Sequence, residues 1–197
     1  MINSVYLDLD DCLNIFTPYV LASLGCSINA LHYTGYKHEW GWDIVEAATQ
    51  LHPKKRFSAR SFWQSVSPHV WADAPLSDLF SPLIQLCQDT VGFENTYITT
   101  TPSIDTASAS AKLRWINKNL PLELRRNYFL TPHKFRLATS KSLLIDDNED
   151  NTIAWKRNNG ISFLVPRPWN SLHNSSFSAR RLIPKIEKSI STGESNV

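Results

Sequence analysis

Glycine is scarce in this chain, with six in 197 residues, and cysteine is scarcer, with three. The six glycines and eleven prolines exclude a collagen-like or repetitive chain. Cys12, Cys26 and Cys87 are odd in number and scattered, which excludes a disulfide framework and a zinc-binding spacing and fits a reducing compartment. An excess of charge of one sign is also lacking. Twenty Lys and Arg against eighteen Asp and Glu leave +2, so neither a nucleic-acid polymer nor a membrane surface is expected as a partner. No window approaches the roughly 20 apolar residues of a membrane span. The first residues, Met-Ile-Asn-Ser-Val-Tyr-Leu-Asp, have no basic start and no long apolar run, so no signal peptide is expected and the reading is a soluble cytoplasmic protein. A hydrophobic share of 42% against 19% charged is enough for a core, and the length suits one domain with a small insert.

Residues 4–9 read as a short buried strand that turns acidic at Asp8, Asp10 and Asp11. Further strands are expected over 95–100, 141–146 and 160–165, with 128–130 as a short edge strand. Helical spacing covers 77–89 despite Pro82, then 106–119, then 149–159 with Gly160 as its stop. The alternation predicts an α/β fold, a three-layer Rossmann-like parallel sheet with helices on both faces. The stretch between the first strand and the first core helix is too long for a loop. It reads as a small helical cap over 14–75, inserted into a core formed by 1–13 and 76–197, and it carries Trp40, Trp42, Phe57, Phe62, Trp63 and Trp71. The polar tail after Arg181 is expected to fray.

Ligands of an open parallel sheet bind beyond the carboxyl ends of its strands. Three expected strands end in reactive types: Asp8-Leu-Asp10, Thr99-Thr-Thr101 and Asp146-Asp147. Thr131-Pro-His-Lys134 can send a cation to the same rim. Clustered carboxylates repel one another unless a cation sits among them. Oxygen donors without paired His or Cys favour Mg2+ over zinc. Mg2+ with a lysine and hydroxyl donors suits a phosphate, so the residue types point to phosphoryl transfer.

In their order, these segments resemble the four motifs of the haloacid dehalogenase-like phosphatases: Val5-Tyr-Leu-Asp8-Leu-Asp10, Thr100, Lys134, and Leu143-Leu-Ile-Asp146-Asp147. Within that superfamily the likeness is to the 5′(3′)-deoxyribonucleotidases and their phage and bacterial relatives. It runs through Tyr97-Ile-Thr-Thr-Thr-Pro-Ser, Lys112-Leu-Arg-Trp-Ile, Thr131-Pro-His-Lys-Phe-Arg and Phe163-Leu-Val-Pro-Arg-Pro-Trp-Asn. The insert is similar more loosely, through Trp40-Gly-Trp-Asp-Ile-Val and Ser61-Phe-Trp-Gln. Asp11-Cys12 departs from the pattern, standing where relatives often have Gly followed by Val or Thr.

The resemblance implies Asp8 as nucleophile and Asp10 as acid and base, with the Asp10 main-chain carbonyl on Mg2+. It implies Thr100, aided by Thr101, and Lys134 as phosphate-binding groups. Asp8, Asp10, Asp146 and Asp147 would form the metal site, with Asp147 favoured as direct ligand. Phe62 and Trp63 are adjacent, so on a helix they cannot share one face; either could stack on a nucleobase. The expected substrate is a small phosphate ester, a nucleoside monophosphate by resemblance, and a homodimer is allowed for. The alternatives are a phosphatase of another small ester and a catalytically silent nucleotide-binding module.

Overall fold

The computed structural model describes residues 1–103, 105–175 and 177–197. Five short strands, β1 (Ser4–Asp8), β2 (Thr96–Thr100), β3 (Tyr128–Leu130), β4 (Ser142–Asp146) and β5 (Ile161–Leu164), form one sheet in the order β3-β2-β1-β4-β5. Every neighbouring pair is parallel. β4 is buried at all five positions, which is why it reads as an unbroken apolar run. β3, at an edge, is only half-buried. Four helices precede α5 (Phe80–Thr90): α1 (Thr17–Ser23), α2 (Ile44–Leu51), α3 (Ala59–Ser65) and α4 (Pro68–Ala72). The rest are α6 (Thr106–Asn119), α7 (Glu149–Arg157) and α8 (Ala179–Thr192). The result is the three-layer α/β arrangement that the alternation of elements implies.

Period-two alternation in β1 separates the two faces of the sheet. Val5 and Leu7 join the main core with Leu83 of α5 and Ile186 of α8. Tyr6 points the other way and packs on Tyr97 and on Trp155 of α7, with centroids 5.0 and 5.1 Å apart. Trp155 also explains Gly160. A Cβ there would lie 2.1 Å from Trp155 Nε1, so the glycine is required by close approach. The left-handed residue that stops α7 is instead Asn159, at φ 65°.

The tail departs from the sequence expectation. Residues beyond Arg181 continue α8, which buries Leu182, Ile186 and Ile190 despite Pro184 and ends on left-handed Gly193. Ser195 and Asn196 then cover the open edge of β5. Ser162 N–H donates to Ser195 Oγ, Leu164 N–H donates to Asn196 Oδ1, and Asn196 Nδ2 donates back to the Leu164 carbonyl. Side chains thus occupy edge groups that would otherwise invite another strand.

Between β1 and α5 the chain leaves the sheet and returns beside itself. Ile15 N–H donates to the Pro75 carbonyl at 2.8 Å, and Ser77 N–H to the Leu13 carbonyl at 3.0 Å. The helices in between gather a second apolar cluster around Phe16, Leu21, Phe62 and Trp71, which also takes in Ala111 of α6 and Trp169. That packing holds the helical segment above the carboxyl ends of the strands. Among the described residues no helix is long and apolar enough to cross a membrane.

Candidate active site

Parallel pairing brings the acidic strand ends together. Leu7 pairs with Ile145, so Asp8 and Asp146 end adjacent strands, and Asp8 pairs with Thr99 on the other side. Lys134 opens a short 3-10 turn and lies buried between the two carboxylates. Its Nζ donates to Asp8 Oδ1 at 2.5 Å and to Asp146 Oδ2 at 2.7 Å. Asp146 is saturated by further bonds: Oδ1 accepts from Asn148 N–H, and Asn151 Nδ2 reaches both oxygens. Asp147 turns instead toward the cleft, where Trp169 Nε1 donates to its Oδ2 at 2.8 Å. One ligand atom each from Asp8, Asp147 and Cys12 lies within 4.8 Å of the others.

A second buried lysine, Lys112, opens one of the resembling stretches but has no role assigned from the sequence. Lys112 of α6 donates to Asp10 Oδ2 at 2.6 Å, to Thr100 Oγ1 at 2.9 Å and to the Thr101 carbonyl at 2.6 Å. These three acceptors use all its protons. Thr100 Oγ1 accepts from Lys112 and directs its own hydrogen at Asp10 Oδ2 over a long 3.5 Å, a contact weak enough to be exchanged for a better acceptor. The signal was present in the pattern. Lys112 shares the inward stripe of α6 with Ser108, Trp115 and Ile116, and a lysine at a core position needs a partner. Asn14, which donates to Asp10 Oδ1, and Asn151 had no comparable signal.

Four carboxylates, Asp8, Asp10, Asp146 and Asp147, thus meet two ammonium groups, Lys112 and Lys134. Two negative charges are left over, and the titration shifts express them. Burial first, then Asp146 and Asp10, push the Asp8 carboxyl up to about 7 against the pull of Lys134. Burial, then Asp146 and Asp8, hold Asp147 well above the usual carboxylate range. For Lys134 burial works downward, but Asp146 and Asp8 outweigh it and keep the ammonium charged. Burial and the same acids keep the Cys12 thiol protonated. The two groups that would hold protons, Asp8 and Asp147, are the two carboxylates grouped within 4.8 Å. This donor set therefore fits one hard divalent cation, held by oxygen.

A pH test follows from these shifts. A carboxyl raised in the folded state adds stability below its unfolded value of about 4, and that stability is lost as pH rises through about 7. A divalent cation takes the place of the protons, so it binds more tightly as pH rises. The rise in thermal midpoint produced by millimolar Mg2+ is expected to be small near about pH 5 and large near about pH 8. An equal increment at both would place cation binding elsewhere.

The strand ends open into a cleft of about 450 Å3. Asp8, Asp10, Thr100, Thr101, Lys134 and Asp147 line its floor; Asp146 is not among the lining residues. Rings form the upper wall, chiefly Phe16, Tyr36, Trp42, Trp63, Trp71 and Trp169. The structure corrects one expected residue. Phe62 is fully buried in the helical insert and does not reach the cleft, whereas its neighbour Trp63 does. One step along α3 rotates a side chain by about 100°, so only one of the pair can face the opening. Asp11, which departs from the pattern, takes the left-handed conformation, φ 58°, and its buried carboxylate is bonded into the insert.

No protein-family model matches the chain, and no curated protein matches it. Among solved structures it is similar to a HAD family hydrolase from Deinococcus radiodurans R1 with bound phosphate and sodium. The TM-score is 0.57 at 13% identity, covering 95% of this chain and 96% of that one. It is also similar to a predicted phosphatase from Clostridium acetobutylicum, with TM-score 0.54 at 16% identity, covering 95% and 99%. At these identities the likeness carries the fold. The five-stranded parallel sheet with its flanking helices is the haloacid dehalogenase-like, Rossmann-like architecture.

Proposed function

We propose that the chain is a phosphomonoesterase that hydrolyses nucleoside monophosphates through an aspartyl-phosphate on Asp8. One observation carries the reading. Asp8, Asp10, Thr100, Lys134 and Asp147 converge on the floor of one cleft whose opposite wall is aromatic. Lys134, 2.5 Å from Asp8, would hold a phosphoryl oxygen and screen the nucleophile from the incoming dianion. An Asp8 oxygen would attack phosphorus as the ester P–O bond breaks. Asp10 would give a proton to the leaving oxygen, then take one from the water that releases phosphate and restores Asp8. Thr100 would donate its hydroxyl hydrogen to a phosphoryl oxygen, directed there by Lys112. Asp8, Asp147 and the Asp10 carbonyl would hold Mg2+, which supplies neutralisation of phosphoryl charge when bound. Asp146, with both oxygens taken, would act by fixing Lys134.

The cleft also supports the substrate class. Its volume lies within the roughly 300–1,000 Å3 of small-ligand sites. Lys112 has all three protons taken and Lys134 keeps one for a ligand, and among the described residues no arginine lines the cleft. Such a site suits a single phosphate carried by an uncharged, flat leaving group. Residues 14–75 would act as the cap that covers the base. The test is a panel of phosphates assayed with Mg2+. Deoxyribonucleoside monophosphates are expected to exceed sugar phosphates in kcat/KM by about tenfold or more, from stacking of roughly 1–3 kcal/mol. Equal turnover would assign another small ester, and no hydrolysis of any ester would leave a binding module.

A further inference from the structure

Asp11 adjoins the proposed acid and base yet spends its carboxylate on the insert. Oδ1 accepts from Phe16 N–H at 3.0 Å, Thr17 N–H at 2.9 Å and the Tyr33 hydroxyl at 2.9 Å, while Oδ2 accepts from the Thr17 hydroxyl at 2.6 Å. Three donors crowd Oδ1 and a fourth, the shortest, holds Oδ2, and all four come from residues 16–33, so the carboxylate is turned to the insert. Its backbone is gripped as well, since Arg167 donates through Nη2 to the Asp11 carbonyl. The Arg167 guanidinium lies between the rings of Tyr33 and Phe177, 4.5 and 3.9 Å from their centroids.

What Asp11 holds is the root of the aromatic wall. Phe16, fixed by its amide, stacks on Trp71 with centroids 6.0 Å apart and planes at 22°. Trp71 in turn stacks on Trp63 at 6.3 Å and 18°. All three rings line the cleft. Asp11 and the nucleophile stand three residues apart on one turn, so the carboxylate ties the wall to the reacting centre across a few bonds. We propose that Asp11 is a positioning residue that determines specificity. It sets the distance between Asp8 and the Phe16–Trp71–Trp63 wall, and so selects ligands that join a phosphate to a flat apolar group. The inference deepens the phosphatase reading and rests on it for the identity of the reacting end.

The test compares D11G, D11N and wild type. Glycine accepts the φ of 58° and removes the carboxylate, whereas Asn keeps Oδ1 and the three bonds made to it. Binding of a deoxyribonucleoside monophosphate and of inorganic phosphate is read by tryptophan fluorescence, and turnover of acetyl phosphate by phosphate release. D11G is expected to weaken nucleotide binding about tenfold more than phosphate binding, with D11N within about threefold of wild type. Y33F, which removes one donor and keeps the ring on Arg167, is expected to shift in the same direction by less. Equal weakening of both ligands in D11G, or D11N as impaired as D11G, would overturn the proposal. Wild type that hydrolyses acetyl phosphate but binds the nucleotide no better than phosphate overturns this inference alone. Wild type that binds the nucleotide through the wall but hydrolyses neither compound overturns the phosphatase reading alone.

Discussion

Asp8→Asn is expected to lower kcat on a generic aryl phosphate by about 10⁴-fold or more, the scale seen when a covalent nucleophile is removed. The amide oxygen is a poor nucleophile and cannot form the acyl phosphate. The fold should survive, because Lys134 keeps its bond to Asp146 at 2.7 Å and the substitution removes one of the surplus negative charges. In the absence of divalent cation the variant should unfold no more readily than wild type near about pH 8, where an ionised Asp8 is least favourable. Steady-state kinetics with Mg2+, paired with thermal unfolding, check both parts. A variant retaining a tenth of wild-type kcat would remove Asp8 from the chemistry.

Lys134→Met should produce the largest loss of stability. The ammonium bridges Asp8 and Asp146, both buried, and Met has nearly the volume but no charge. Removing one member of a buried ionic group commonly costs about 3–5 kcal/mol, because the remaining charge stays desolvated and unpaired. Against a total of about 5–15 kcal/mol, that is a large share. The loss should be smaller in acid than in alkaline buffer, since without the downward pull of Lys134 the Asp8 carboxyl is raised further and takes up a proton readily. A second change, Asp146→Asn in the Lys134→Met background, should recover part of it. Urea denaturation at two pH values measures the effect, and a loss under about 1 kcal/mol would mean that water reaches the pair. Activity should be lost as well, since among the described residues Lys134 is the ammonium bonded to Asp8.

Several features were legible because they are properties of short stretches. The all-apolar Leu-Leu-Ile of β4, bounded by Ser and Asp, reads as a short strand covered on both faces, and α6 carries its inward stripe over the full 106–119. Acids at strand ends are equally local, and parallel pairing then puts Asp8, Asp146 and Asp147 on one edge. The tail was misjudged because Pro184 and the run of Ser and Thr hid an amphipathic helix whose Leu182, Ile186 and Ile190 recur every four residues. Lys112, named only within a resembling stretch, has no role legible in the sequence because one lysine in a helix looks solvated until its position is seen to face inward.

Order along the chain, the period of each element and the residue type at each strand end are written in the sequence, and physics read from neighbours recovers them. Which of two adjacent rings faces the cleft, which of two adjacent acids points at it, and which lysine is consumed before any ligand arrives are settled by contacts between segments far apart in the chain. Phe62 turns into the insert while Trp63 lines the cleft, and Asp146 is filled by Lys134 and Asn151 while Asp147 faces the cleft. Burial and pairing decide these, and both depend on the whole packed molecule.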